Sequence, residues 1–336
     1  MGRKDILLER ITEAIQSLIK LQDINGCFFY PYHTGETDYC NARWQESILS
    51  MVWMYIRNKN KEMYTRIENG INFLISIQNQ NGSFPEYSKK DSSFSATAFI
   101  TFSLTMTFKL LQKDIKKEWK DMLENSLKWL SHENEIVYTN QEAAAGASLI
   151  LGGLFLDNHS FTDAGLKKIH RVLDSKKVYY PENGGFDLGY SSLTLEYLGF
   201  VYETGYLKEK IKNSVESYYK FLEDNDLKDI KNSRNTKWII LDGFEIFADK
   251  IKDGETILNK ILKLDVYIDH TEREENLCTD LYRLCFAYDH MTSLLNNKME
   301  LKTFNPEKYN GGSHKKILNP LRRFGLHRIR SIIRII

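Results

Sequence analysis

A chain of 336 residues that is 42% hydrophobic and 27% charged has the composition of an ordinary globular protein, long enough to bury a sizeable core. Only five prolines interrupt it, and no uninterrupted apolar run of ~18 residues is present to span a bilayer. Its formal net charge of +1 hides an asymmetry: seven of the 46 basic residues lie from Gly312 onward with no acid among them, leaving 39 against 45 acids in the body. A body of that sign is a poor nucleic-acid binder.

The N-terminus, Met1 to Asp5, enters an amphipathic helix and lacks the apolar core of a signal peptide. Apolar positions at a 3.6-residue period then predict twelve helices. In chain order they cover 7–21, 44–56, 67–77, 95–111, 119–130, 142–156, 162–173, 193–202, 211–222, 237–248, 255–264 and 274–295. Ser95 and Thr162 read as N-caps, and strand alternation is almost absent. The motif Gln-x-x-Asn-Gly-x-Phe ends the first helix at Gln22–Phe28 and recurs 56 residues later at Gln78–Phe84. Its second half appears again as Asn183-Gly184-Gly185-Phe186. Self-similarity at this period marks a repeat of helical hairpins. About six hairpins, with the small residues Ala143 to Ser148 allowing close approach, predict an all-α (α/α) toroid over residues 1–310. An open solenoid or bundle of the same hairpins is the alternative.

Three clusters could carry chemistry, since the turns at one rim of such a ring surround its cavity. The first is Phe28 to His33 with Asp38, Asn41, Arg43 and Trp44, where aromatic faces beside polar groups suit a sugar. Alternatively Phe28 and Tyr30 plug the repeat interface and His33 is a solvated loop residue. The second is Asn140-Gln141 with Asp187 to Tyr190. Here Asn140 and Asp187 serve equally well as helix caps. The third runs from Asp269-His270 through Glu274 to Tyr282, Arg283, Asp289 and His290. Arg283 could bind an anion and His270 could shuttle protons, while the acids fit a helix N-terminus on dipole grounds.

The stretch Leu74 to Phe84 followed by Ser95 to Phe99 resembles the QW-type repeats of the squalene-cyclase and prenyltransferase toroids. Asn140 to Gly146 followed by Gly185 to Leu195 resembles the toroid half of heparinase- and alginate-lyase-type proteins of surface-polysaccharide pathways. Both resemblances imply an (α/α) toroid, and neither motif is specific for a reaction. The second implies a polysaccharide lyase or uronyl epimerase acting on an acidic or cell-surface polysaccharide or its precursor. In that reading Asn140 neutralises a uronate and Tyr190 is base or acid, while Asp187, His33, Arg43 and Trp44 orient the sugar. Tyr190→Phe and Asn140→Ala are then both expected to abolish turnover without unfolding the chain.

Other readings stay open. One is an inverting glycoside hydrolase using two carboxylates among Asp38, Glu86 and Asp187. Another is the handling of an isoprenoid or lipid-linked saccharide, as the QW-like repeats imply, and a third is a non-catalytic scaffold. A deep aromatic pocket favours the isoprenoid, an open polar cleft with Trp and Arg the sugar, and a filled cavity the scaffold. No DxDD acid motif, Walker A, Rossmann fingerprint, HExxH or GxSxG occurs. Cys278, Asp280 and His290 share one helix and match a zinc set weakly, so neither cofactor nor metal is expected. The four cysteines, Cys27, Cys40, Cys278 and Cys285, show no framework spacing and read as core filler in a reducing cytoplasm.

The segment 311–336 reads as a basic amphipathic tail. Leu321, Phe324, Ile329, Ile332, Ile333 and Ile336 interleave with Arg322, Arg323, Arg328, Arg330 and Arg334. Such a helix lies in an anionic membrane interface, each basic residue contributing about 1 kcal/mol near the surface. The alternative is that it packs on the acidic body. The full chain is expected to sediment with anionic liposomes at low salt, whereas a chain ending at Asn310 stays folded and in solution. Equal sedimentation with and without the tail would remove the membrane role, and unfolding on truncation would favour packing.

Overall fold

The structure is a computed structural model that describes residues 3–28, 41–89, 91–112, 115–175, 178–227, 238–264 and 274–292. The described chain begins with α1 (Arg3–Ile19), a 3-10 turn (Ala42–Glu46), α2 (Ser47–Asn58), α3 (Lys61–Ile77) and α4 (Phe94–Leu111). It continues with α5 (Lys117–His132), α6 (Thr139–Leu156), α7 (His159–Ser175) and a hairpin of β1 (Pro181–Glu182) and β2 (Gly185–Phe186). The last elements are α8 (Leu188–Glu203), α9 (Lys208–Asp224), α10 (Asp242–Phe247), α11 (Gly254–Leu262) and α12 (Glu274–Thr292). Each helix was legible from its apolar period; two caps were not. Ser93, not Ser95, accepts the Ala96 N–H at 3.1 Å and starts α4. Before α7, the Asn158 side chain accepts from Ser160 at 3.1 Å, so the helix begins at His159, ahead of Thr162.

Helices alternate between two layers. Inner helices pack in the order α2, α4, α6, α8, α10, α12, and α12 returns to α2, closing the ring. Outer α3, α5, α7, α9 and α11 back onto their inner neighbours, and α1 lies against α12. This is an (α/α) toroid. The sequence explains the layering, because α4, α6 and α8 are apolar nearly all round and bury almost every residue, while the outer helices bury one stripe. By length and apolarity α4 alone among the described helices could cross a membrane, a correction to the reading of the bare sequence, but it is a buried spoke of the ring. The small residues of α6 act where expected. A Cβ on Gly146 would stand 2.7 Å from Ile169, and one on Gly165 would stand 2.7 Å from the Gly146 carbonyl.

The repeated motif is the staple between successive hairpins. Gln22 Nε2 donates to the Gly26 carbonyl at 3.1 Å and to the Arg66 carbonyl at 2.9 Å. Gln78 Nε2 makes the same two bonds, to Gly82 at 3.1 Å and to Met122 at 3.0 Å. Gly26 and Gly82 adopt φ of +93° and +92°, and a Cβ on either would lie within 2.3 Å of the backbone of the next outer helix. Both glycines are therefore fixed by conformation and by space. In urea titrations Gln78→Ala should lose about 1–3 kcal/mol, since two buried carbonyls lose their donor. Gly82→Ala should lose more than about 1 kcal/mol. An unchanged midpoint for both would show that the staple is dispensable.

Candidate functional site

The N-terminal ends of the inner helices share one rim, and the polar residues that sequence analysis singled out gather there. The 3-10 turn brings Arg43, the α4 entrance Glu86 and Tyr87, the α6 entrance Tyr138 and Asn140, and the α8 entrance Asp187 and Tyr190. Aligned helix N-termini give this rim a positive bias from their exposed N–H groups. Tyr190 is 44% exposed and Tyr87 68% exposed. The Tyr190 ring meets Trp238 edge-on at 5.3 Å. Its hydroxyl makes no hydrogen bond to the described residues. Burial, and then Asp187, push the Tyr190 hydroxyl above the usual tyrosine range, with Arg43 opposing, so it is a neutral phenol at rest. Tyr87 is raised likewise, by Glu86 first and burial second.

Asn140 is not a helix cap, since it falls inside the first turn of α6. Its backbone N–H donates to Glu182 Oε1 and its side-chain amide to Glu182 Oε2, each at 2.8 Å. Glu182, which the sequence did not flag, comes from β1, whose Asn183-Gly184 turn has both residues at positive φ, 46° and 79°. The hairpin is sewn to the α6 entrance by a bridge between Tyr138 and Glu182 and by the Asn183 N–H to the Val137 carbonyl at 3.0 Å. Burial pushes the Glu182 carboxyl up to about 8, against the pull of the two Asn140 bonds. Asp187 caps α8 by accepting the Tyr190 N–H at 3.0 Å. Glu86 is buried and accepts from Ser93 Oγ at 2.5 Å. A cavity of about 520 Å³ lies beside the hairpin, lined by Val137, Thr139, Arg171 and Tyr179. Tyr138, between two of those residues, is 38% exposed.

Beneath the rim is a buried charge cluster. Arg283 is 1% exposed, and it donates to Glu196 at 2.8 Å, Asp280 at 3.0 Å, Glu46 at 3.3 Å and the Tyr197 hydroxyl at 2.8 Å. Its donors are thus spent inside the core, and no sugar can reach it. Trp44 is buried in the 3-10 turn and also lies off the accessible rim. Arg43 differs from both. It is 24% exposed, gives Nε to Glu46 at 3.2 Å and lays its guanidinium on the Phe99 ring at 4.2 Å. Burial alone would lower its pKa, but Glu46 and Glu86 outweigh that and raise it.

The remaining expectations sort by position. His33, Asp38 and His270, with Tyr30 and the 311–336 tail, lie outside the described residues, and Phe28 is fully buried as a plug would be. The zinc-like trio is dispersed, with Asp280 on Arg283 and His290 Nδ1 2.6 Å from Asp242. Cys278 and Cys285 are buried thiols, but Cys27 is disulfide-bonded, a correction to its reading as core filler.

Residues 20–240 match the family described as "Ulvan lyase N-terminal domain". The chain belongs to that family. It is accordingly a carbohydrate-active protein of the polysaccharide-lyase type. Among solved structures, the toroid is similar to the "Crystal structure of unsaturated glucuronyl hydrolase specific for heparin". The TM-score is 0.58 at 12% identity, covering 89% of this chain and 98% of that one. Identity at that level speaks for the fold alone. A search of curated proteins finds no match.

His290 on α12 gives the cluster a pH signature. Burial would lower its pKa, but Asp242 and then Glu203, 3.5 Å away, raise it from 6.5 to about 10. The folded chain therefore binds this proton more tightly than the unfolded chain, and the contribution is complete below pH 6.5 and lost as pH climbs to about 10. Unfolding midpoints in urea should fall between pH 7 and pH 10 (roughly that window), and His290→Asn should flatten the fall. An equal slope in the variant would show that His290 is neutral in the fold.

Proposed function

We propose that this toroid cleaves an acidic polysaccharide of the ulvan kind by β-elimination, with Tyr190 as the proton donor. The observation that carries the reading is the half-exposed Tyr190, whose hydroxyl bonds no described residue, in an open polar rim that it shares with Arg43, Tyr87, Tyr138 and Trp238. Flat aromatic faces suit the apolar face of a pyranose, and the N-terminal helix ends suit its negative charge.

In such a cleavage a base removes the proton from the carbon beside the uronate carboxylate. That electron pair forms the new carbon–carbon double bond, the glycosidic carbon–oxygen bond breaks, and the departing oxygen takes up a proton. Tyr190, a phenol at rest, is poised for the last transfer. His270 remains the candidate for the base. An epimerase would share the first proton removal but return the proton to the opposite face of the same carbon. Two further readings have less support. Glu86 and Asp187 are committed to Ser93 and to the α8 cap, which disfavours the two-carboxylate hydrolase. The interior aromatics Phe102, Tyr197, Phe200, Tyr282 and Phe286 pack on one another, which disfavours an isoprenoid chamber.

The two substitutions expected to act alike now separate. Tyr190→Phe removes a hydroxyl that bonds no described residue, so its melting temperature should stay unchanged while unsaturated-uronate absorbance from ulvan falls by about 10²–10⁴-fold. Asn140→Ala takes the side-chain donor from Glu182 Oε2 while the backbone bond to Oε1 remains, and should lose about 1–3 kcal/mol of stability besides any activity. A Tyr190→Phe protein with undiminished turnover would defeat the assignment. Solvent-deuterium exchange without new absorbance in the wild type would shift the reading to an epimerase.

A further inference from the structure

Among the described rim residues, Arg43 is the cation whose binding edge is left open. A guanidinium offers five N–H donors, and Arg43 spends its Nε alone, on Glu46. Neither Nη group bonds any described residue. The flat face is occupied by Phe99, which fixes the plane of the fork and leaves its Nη edge for a ligand. A planar fork with two free nitrogens matches a carboxylate bidentately. The residue that the family resemblance makes the neutraliser is less well placed, because Asn140 donates both its backbone N–H and its side-chain amide to Glu182. One side-chain N–H and the carbonyl oxygen remain, a single donor beside an acceptor rather than a fork.

Arg43 is also held from behind. Glu46 presents one oxygen to Arg43 at 3.2 Å and the other to Arg283 at 3.3 Å, and Arg283 is anchored in turn on Glu196 and Asp280. Glu46 and Arg283 are both fully buried, so their geometry is set by the closed ring and not by solvent. Burial pushes the Glu46 carboxyl up, and the two arginines pull it back toward its charged form.

Resting on the lyase reading above, we propose that Arg43 is the clamp for the uronate carboxylate of an ulvan chain, and that Glu46 and Arg283 are positioning residues that aim it through the buried relay. Tyr190 stands near enough for the Arg43 charge to act on its hydroxyl, so clamp and phenol open on the same rim.

The test measures binding rather than turnover. Tyr190→Phe protein is titrated calorimetrically with ulvan and with carboxyl-reduced ulvan. It should prefer the native polymer by about tenfold or more, and Arg43→Met in that background should abolish the preference. Glu46→Gln, which touches no substrate, should reduce the preference while leaving binding of the reduced polymer unchanged, an outcome that general loss of stability would not produce. If Arg43→Met fails to fold, Arg43→Lys keeps the charge without the fork and should retain only part of the preference. Equal binding of the two polymers by the Tyr190→Phe parent, binding of neither, or a preference that survives Arg43→Met would overturn the clamp. An unaltered preference in Glu46→Gln would overturn the relay. Residual turnover by Tyr190→Phe would count against the proton donor alone, because the clamp is read from binding.

Discussion

The Arg283 guanidinium holds the ring shut. It sits on α12, the last inner helix, and reaches Glu46 at the entrance to α2 and Glu196 on α8. A fully buried cation is tolerable only when each donor has a partner, and removing one side of such a pair costs about 3–5 kcal/mol. Closure therefore depends on helices from both ends of the chain arriving together. A second tie reinforces it, since Asp289 of α12 accepts from Trp53 Nε1 at 2.8 Å and pairs with Arg57 of α2. The seam between α12 and α2 is thus held by buried charges, while the seams between consecutive hairpins combine apolar packing with the neutral Gln22 and Gln78 staples. That difference gives the seam a single register: greasy surfaces can slide, whereas a forked cation set among three carboxylates cannot.

The same cluster explains why the candidate chemistry stands at the rim and not at the centre. Large aromatic side chains fill the middle of the ring around Arg283, leaving the helix entrances as the place where polar groups meet solvent. Three of these entrances are tied by their own hydrogen bonds, through the Asp187 cap, the Ser93–Glu86 contact and the hairpin stitched to α6. Groups left over from that bookkeeping, chiefly the Tyr190 hydroxyl and the Arg43 fork, are the ones free to act on something else.

Much of the fold could be read from residues alone, because its rules are local. The apolar period locates the helices, and the Gln-x-x-Asn-Gly motif marks turns that only glycine can make at positive φ beside a neighbouring backbone. Parts of the candidate site were legible too, in that Asp187 stands at a helix start and Tyr190 and Arg43 share the rim proposed to act. What escaped was long-range. Glu182 lies in a two-residue strand with no period to betray it, and a lone acid before an Asn-Gly turn looks solvated. Arg283 looks like a ligand for anions on a charged helix, and nothing nearby announces Glu46, 237 positions away. Burial of charge is a property of pairs, and pairs separated this far leave no mark on either neighbourhood.

The third Asn-Gly copy has a different fate from the first two. Gly26 and Gly82 are wedged against neighbouring helices, but around Gly184 there is nothing within 4 Å of where a side chain would begin. A turn tied at Asn183 but open at Gly184 can accept bulk at that second position without disturbing the toroid behind it. The base of the same hairpin carries Glu182 and, through it, the α6 entrance. Natural variants with bulkier tips could therefore reshape the approach to the rim while inheriting an unchanged floor, so a single scaffold can admit chains of differing bulk.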